Sequence, residues 1–268
     1  MSLQLDARRQ AMLAEMGVRL FQPHAPMVRI DAIPPGPPGQ AVGLAAPGTA
    51  PARNAPGSAP PRVQEVVPVL RAPLGDRPTG VEAMDWDALA AAVGGCRACK
   101  LCNGRRSTVF GVGDQQADWL VVGEAPGEQE DLQGEPFVGQ AGRLLDNMLA
   151  ALGLDRQRGV YIANVLKCRP PGNRNPEPDE VAQCKPFLRR QVALLQPRII
   201  LAMGRFAVQS LLGTTEPIGR LRGRVHRYEG VPVVVTYHPA YLLRNLPDKA
   251  KAWADLCLAR AELEGPGS

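Results

Sequence analysis

Three five-residue apolar runs, Trp119–Gly123, Val160–Asn164 and Ile199–Met203, constrain this chain more than anything else in it. Each ends in a loop that leads toward a stretch with helical spacing. Residues 139–152 put Leu144, Leu145, Met148, Leu149 and Leu152 on one side of a helix. A second helical stretch covers about 179–195, where Pro186 is expected to kink it or start a new helix, and a third follows Met203 through Leu212. Residues 224–228 and 231–237 flank Glu229-Gly230 as a hairpin, and 249–262 closes the chain as a helix. Repeated strand-then-helix order specifies a mostly parallel sheet with helices on both faces, and in such folds the site lies at the carboxyl ends of the strands.

The 268 residues are 45% hydrophobic and 21% charged, enough apolar material for a substantial core and too much for a wholly disordered chain. That material is unevenly spread. Residues 33–61 hold 9 prolines and 5 glycines, which cannot pack a core and read as a flexible linker. Before it, Leu3, Leu5, Met12, Leu13, Met16 and Leu20 line one side of a short helix, either merely nascent or a partner-docking peptide. The expected division is therefore a largely disordered Pro/Gly-rich extension, 1–81, and a folded domain, 82–268. No run of 18 apolar residues and no secretory signal is visible, so the expectation is no membrane and a cytoplasmic location; a monomer is the default. The formal charge is +5, but 23 basic and 21 acidic residues from 82 onward leave only +2 for the folded part. Such weak basicity decides nothing about nucleic acid, because a local groove matters more than net charge.

The loops after the strands carry the unusual residues. Gly123-Glu124-Ala125-Pro126-Gly127 makes a tight turn whose amides can approach a ligand closely. Phe137 lies in a glycine-flanked loop rather than on a periodic apolar face, where an aromatic ring can cover a flat base. Asn164 offers both a donor and an acceptor, the complement of an imide edge such as O4 and N3–H of uracil, and the wrong pattern for cytosine. His238 stands at a strand end before Pro239, where an imidazole can donate to a developing oxyanion. Each also has a plainer reading, as turn chemistry, core filler, a capping amide or a structural histidine.

The six cysteines lie between Cys96 and Cys257, too few for a disulfide scaffold and suited to metal or cluster chemistry in a reduced compartment. Cys96, Cys99 and Cys102 read C-x-x-C-x-x-C; Cys168 and Cys184 lie beyond the first strand–helix–strand unit. Four of these would complete one centre and staple the domain's start to its middle, with zinc and iron–sulfur both open from spacing. Arg106 occupies the place of a ferredoxin's next cysteine, which makes Cys102 the leading spare, and Cys257 is expected to be a buried, inert thiol.

Taken together and in order, GEAPGEQEDLQGEPFVGQAGRLLDNML, YIANVLKCRPPGNRNPEPDE and HPAYLLRN resemble the family 4 uracil-DNA glycosylases, the iron–sulfur branch of that superfamily, over roughly residues 90–262. The resemblance implies a three-layer α/β/α fold on a short mostly parallel sheet. It also implies a largely structural [4Fe-4S] cluster held by Cys96, Cys99, Cys168 and Cys184. Phe137 would stack on uracil, Asn164 would read its O4/N3 edge, and His238 would hydrogen-bond O2. Glu124 would position water or meet the sugar cation. Ala125, counted among the substrate-binding positions, stands where the best-known branch of the superfamily has its water-orienting Asp. Gly127 stands where that branch has the tyrosine that excludes the thymine methyl. Leu242 or Leu243 would fill the gap left by a flipped base, and Arg244 would pin a phosphate. Beside the Asn164 loop, Lys167, Arg169 and Arg174 read either as DNA phosphate contacts or as a solvated basic loop.

The implied activity is monofunctional release of uracil from DNA, leaving an abasic site. The competing class is a non-catalytic uracil-DNA binder. A related trapping branch uses a histidine in the loop after its Cys-x-Arg-Pro-Pro segment, and residues 171–176 contain none. The implied partner is uracil-containing DNA, and the N-terminal extension is a candidate tether to a replication or repair protein.

Overall fold

The computed structural model describes residues 75–265, with residue 15 standing alone before them. The expectations for 3–20 and 33–61, and the tether built on them, lie outside the described residues. Val81 packs in a buried cluster with Leu89, Val93 and Phe187, and the Gly75 amide donates to the Arg97 carbonyl at 3.0 Å. The packed body thus begins ahead of residue 82. Asp85 starts helix α1 (Trp86–Gly95) by accepting the Ala88 amide at 2.8 Å, which satisfies one of the orphan donors of the first turn.

Six strands follow: β1 (Val112–Gly113), β2 (Trp119–Gly123), β3 (Val160–Asn164), β4 (Ile199–Met203), β5 (Val225–Tyr228) and β6 (Val231–Thr236). They form one sheet in the order β1-β3-β2-β4-β6-β5. β3, β2, β4 and β6 run parallel, while the edge strands β1 and β5 pair antiparallel. The β5–β6 turn needs two left-handed residues, and Glu229 (φ 48°) and Gly230 (φ 85°) supply them.

The two-residue period of the strands sorts their side chains between two cores. On one face Val121, Ile162, Leu201 and Val234 meet Leu145, Met148 and Leu149 of α3 (Gln140–Ala151) and Leu256 of α8 (Lys249–Glu264). On the other, Leu120, Val122, Ala163, Ile200 and Val235 meet Leu188 and Val192 of α4 (Pro178–Leu195) and Val208 of α5 (Arg205–Leu212). Every residue of β2, β3 and β4 is buried, as a strand covered on both sides must be, and the fold is a three-layer α/β/α sandwich.

Helix α4 continues through Pro186, so of the two expectations a new helix starting there is not met. The bond that proline removes is the one to the carbonyl of Ala182, an exposed residue whose oxygen water can satisfy. No helix among the described residues is long and apolar enough to cross a membrane.

β2 is where the topology turns. The chain leaves it for β3 on one side, then crosses to β4 on the other. The loops after β2 and β3 therefore part from those after β4 and β6, opening a crevice at the carboxyl ends of the parallel strands. Three further short helices complete the picture: α2 (Glu128–Gln133) in the loop after β2, α6 (Ile218–Leu221) leading into β5, and α7 (Pro239–Leu242) directly after β6.

Candidate active site

A cleft of about 440 Å³ occupies that crevice. Glu124 and Ala125 reach it from the end of β2, Asn164 from the end of β3, and His238 from the end of β6; Phe137 and Arg244 also line it. The structure thus brings together six sequence-predicted residues drawn from three separate strand ends and two loops.

Phe137 is buried in the left-handed region, at φ 55°, a strained place for an aromatic residue. Two side chains hold it there. The Glu130 carboxylate accepts the amides of Gly127 and Val138, each at 3.0 Å. The Arg156 guanidinium donates to the Phe137 carbonyl at 2.7 Å while its Nε donates to Asp146 at 2.8 Å. Neither Glu130 nor Arg156 stood out in the sequence. Glu130 is the third residue of a helical turn following Gly127, a spacing that marks a carboxylate able to reach back to its own cap.

Three glycines are steric requirements of the site. A Cβ on Gly123 would run into the Asn164 side-chain oxygen and come within 2.7 Å of the Phe137 ring. One on Gly142 would overlap the Phe137 carbonyl, and one on Gly204 (φ 91°) would stand 3.1 Å from the Cβ of His238.

His238 has a defined tautomer. Its Nδ1 accepts the Ala240 amide at 3.1 Å at the start of α7, which leaves the proton of the neutral ring on Nε2. Burial pushes the imidazole down to about 4, against a small upward pull from Glu130, so the ring is neutral at physiological pH. It lies 5.3 Å from the Phe137 ring at an interplanar angle of 25°. Glu124 moves the opposite way, with burial raising its carboxyl to about 7 although Arg205 opposes the shift. The cleft therefore pairs a neutral N–H donor with a carboxyl that titrates near neutrality, among buried walls where both act strongly.

Leu242, expected as one of two wedge candidates, is instead fully buried in the core, because the turn of α7 directs it inward. Leu243 is 39% exposed and keeps that role open; Leu246, 56% exposed on the same loop, was missed because it sits beyond the recognisable motif. Lys167 is also corrected: it is 1% exposed and cannot reach a phosphate. Arg169 donates to Asn173 at 2.8 Å, and Arg174 forms a two-pronged pair with Glu180 at 2.5 and 2.9 Å.

A second recess lies between the end of α1, the loop after β3 and α4. Cys96, Cys99, Cys102, Cys168 and Cys184 line it together with Arg105 and Lys167. Cys168 and Cys184 are buried, and burial raises their thiols to about 11 and about 12, so without a metal they hold their protons. Among the described residues no group of three or more His, Cys, Asp or Glu is arranged to hold one metal ion. Five cysteine sulfurs, with no carboxylate or imidazole among the lining residues, fit an iron–sulfur cube, which spreads its ligands wider than a single ion does. Cys102, the expected spare, borders the same recess. Cys257 is exposed on α8, not buried as expected, since it falls off the helix's packed stripe of Ala252, Leu256 and Ala259.

The model of the uracil DNA glycosylase superfamily matches residues 110–257. The type-4 uracil-DNA glycosylase of Archaeoglobus fulgidus is 46% identical over 165 residues, 59% of this chain and 82% of that protein. That of Thermotoga maritima is 44% identical, over 56% of this chain and 79% of its own. A type-5 uracil-DNA glycosylase of Pyrobaculum aerophilum stands at 35%, over 50% of this chain and 66% of its own. With the strand-end cleft, the three-layer sheet and these likenesses in agreement, the chain belongs to the uracil DNA glycosylase superfamily and, within it, to the type-4 glycosylases.

Proposed function

We propose that this uracil-DNA glycosylase works on a flipped deoxyuridine held in the cleft of Glu124, Ala125, Phe137, Asn164 and His238. The observation that carries this reading is the convergence of a base-pairing amide, an aromatic ring and a neutral imidazole donor on one buried crevice. The Asn164 amide matches the alternating acceptor and donor of the O4/N3 edge. Phe137 supplies the stacking face. As the C1′–N1 bond breaks, its electron pair goes to the base, and His238 Nε2–H donates to the charge gathering on O2. Water adds to C1′, and its proton balance leaves neutral uracil and an abasic sugar.

Glu124 is the candidate for orienting that water or facing the sugar cation, roles that need its ionised form. Because burial places its carboxyl at about 7, activity is expected to rise as pH passes upward through that value and to be lost below it. Glu124→Gln should remove this step from the pH–rate profile; an unaltered step would assign it to another group.

Cys96, Cys99, Cys168 and Cys184 would hold a [4Fe-4S] cluster, joining the residues after α1 to the loop after β3 and to α4. When bound it supplies cross-linking and local charge and takes no part in glycosidic cleavage. The proposed DNA contacts are Leu243 as the wedge and Arg244 at a neighbouring phosphate.

The test is release of free uracil from a U·G oligonucleotide by anaerobically purified protein, beside the matching T·G duplex. Uracil without thymine is the expected product. No release from folded, iron-loaded protein would leave a uracil-DNA binder as the surviving account.

A further inference from the structure

The hydrogen bonding of Lys167 is out of keeping with its charge. The side chain is wholly enclosed, and its ammonium donates to the carbonyls of Phe110 at 3.1 Å and Asn164 at 2.9 Å and to Oε1 of Gln191 at 2.6 Å. All three acceptors are neutral. A buried cation is normally paired, because neutral dipoles repay only part of the hydration it has lost. The side chain also borders the five-cysteine recess. A second cation stands on the outer side, where Arg105 Nη1 lies 3.1 Å from Cys168 Sγ and its Nη2 is anchored on the Gly94 carbonyl at 3.0 Å.

We infer that Lys167 is the buried countercharge of the iron–sulfur cluster, with Arg105 as its partner on the exposed side. This rests on the cluster reading given above. A [4Fe-4S] core in its usual 2+ state with four thiolates carries a double negative charge, and two cations bordering the recess balance it. The same ammonium holds the carbonyl of Asn164, so the charge that favours a loaded cluster also braces the strand end from which the base is read. Reduction adds one more negative charge to the cluster, so a nearby cation favours the reduced form and raises the potential.

The experiment uses full-length protein prepared without oxygen, with iron content, the rate of iron loss to a chelator and the cluster's reduction potential as readouts. Lys167→Met is expected to lose iron about tenfold faster than wild type, the usual scale for removing a group that supports a metal's ligands. Its potential should also move to a more negative value. Should Lys167→Met fail to fold, Gln191→Glu tests the same idea, because a carboxylate beside the ammonium cancels its charge toward the cluster and should shift the potential the same way. Wild-type protein without iron overturns the cluster reading and this inference with it. Iron-loaded wild type, with stripping rate and potential unchanged in whichever variant folds, overturns the countercharge alone.

Discussion

His238→Ala is expected to slow single-turnover release of uracil by a hundredfold or more while leaving affinity for uracil-containing DNA nearly unchanged. The scale follows from losing one aimed donor to a charge that exists only in the transition state, about 3 kcal/mol. The geometry supports that economy. The Ala240 amide occupies Nδ1, so the remaining proton sits on Nε2, and the ring needs no rotation or protonation to donate. Because burial holds the imidazole at about 4, the ratio of wild-type to variant rates should stay flat between pH 5.5 and 9, a range chosen to lie above the folded value of about 4. The sign for stability follows from the same shift. The unfolded ring titrates near 6.5, so its neutral burial contributes fully above that value, and the contribution is lost as pH falls through about 4. An unaffected rate in the variant would sink the assignment of His238 as the donor.

Gly123→Ala should have a comparable effect for a steric reason. Gly123 ends β2 outside the left-handed region, so alanine suits its backbone, but the added methyl meets the Asn164 amide oxygen and the Phe137 ring together. Both side chains that would bind the base must shift, and displacement of a reacting group by about 1 Å typically costs about a hundredfold. The expected result is a rate loss of that order in a protein that still folds and keeps its iron. Neighbouring Gly142 would be a poorer choice, because there the methyl overlaps the backbone of Phe137 itself. A Gly123→Ala enzyme with wild-type kinetics would mean that Asn164 and Phe137 are not held against each other as described.

Local pattern was enough for five of the six strands, while the two-residue edge strand β1 (Val112–Gly113) carries too few residues to show a pattern. β2, β3 and β4 coincide with the three apolar runs, since a strand covered on both faces is apolar at every position, and the β5–β6 turn was announced by Glu229-Gly230. The residues facing the cleft were legible for a related reason: Glu124, Asn164 and His238 are polar groups that interrupt apolar strand ends, where chain composition itself is conspicuous. Pro186 did not start a new helix, because its cost depends on whether the carbonyl it abandons is wet, which is a fact about neighbours.

The alternation of apolar strands and helices by itself determined the parallel sheet, the end of it that would carry chemistry, and the polar residues set there. Only the tertiary structure decided which side chains of a motif face the cleft and which face the core. Leu242 at the end of α7 turned inward and the next residue, Leu243, outward, and Lys167, basic and adjacent to motif residues, was drawn fully inside. It likewise decided the supports, Glu130, Arg156 and the three site glycines, whose roles lie in contacts with residues distant along the chain. Burial, tautomer and close approach arise when separate strands bring their ends together, and no local stretch of sequence contains that information.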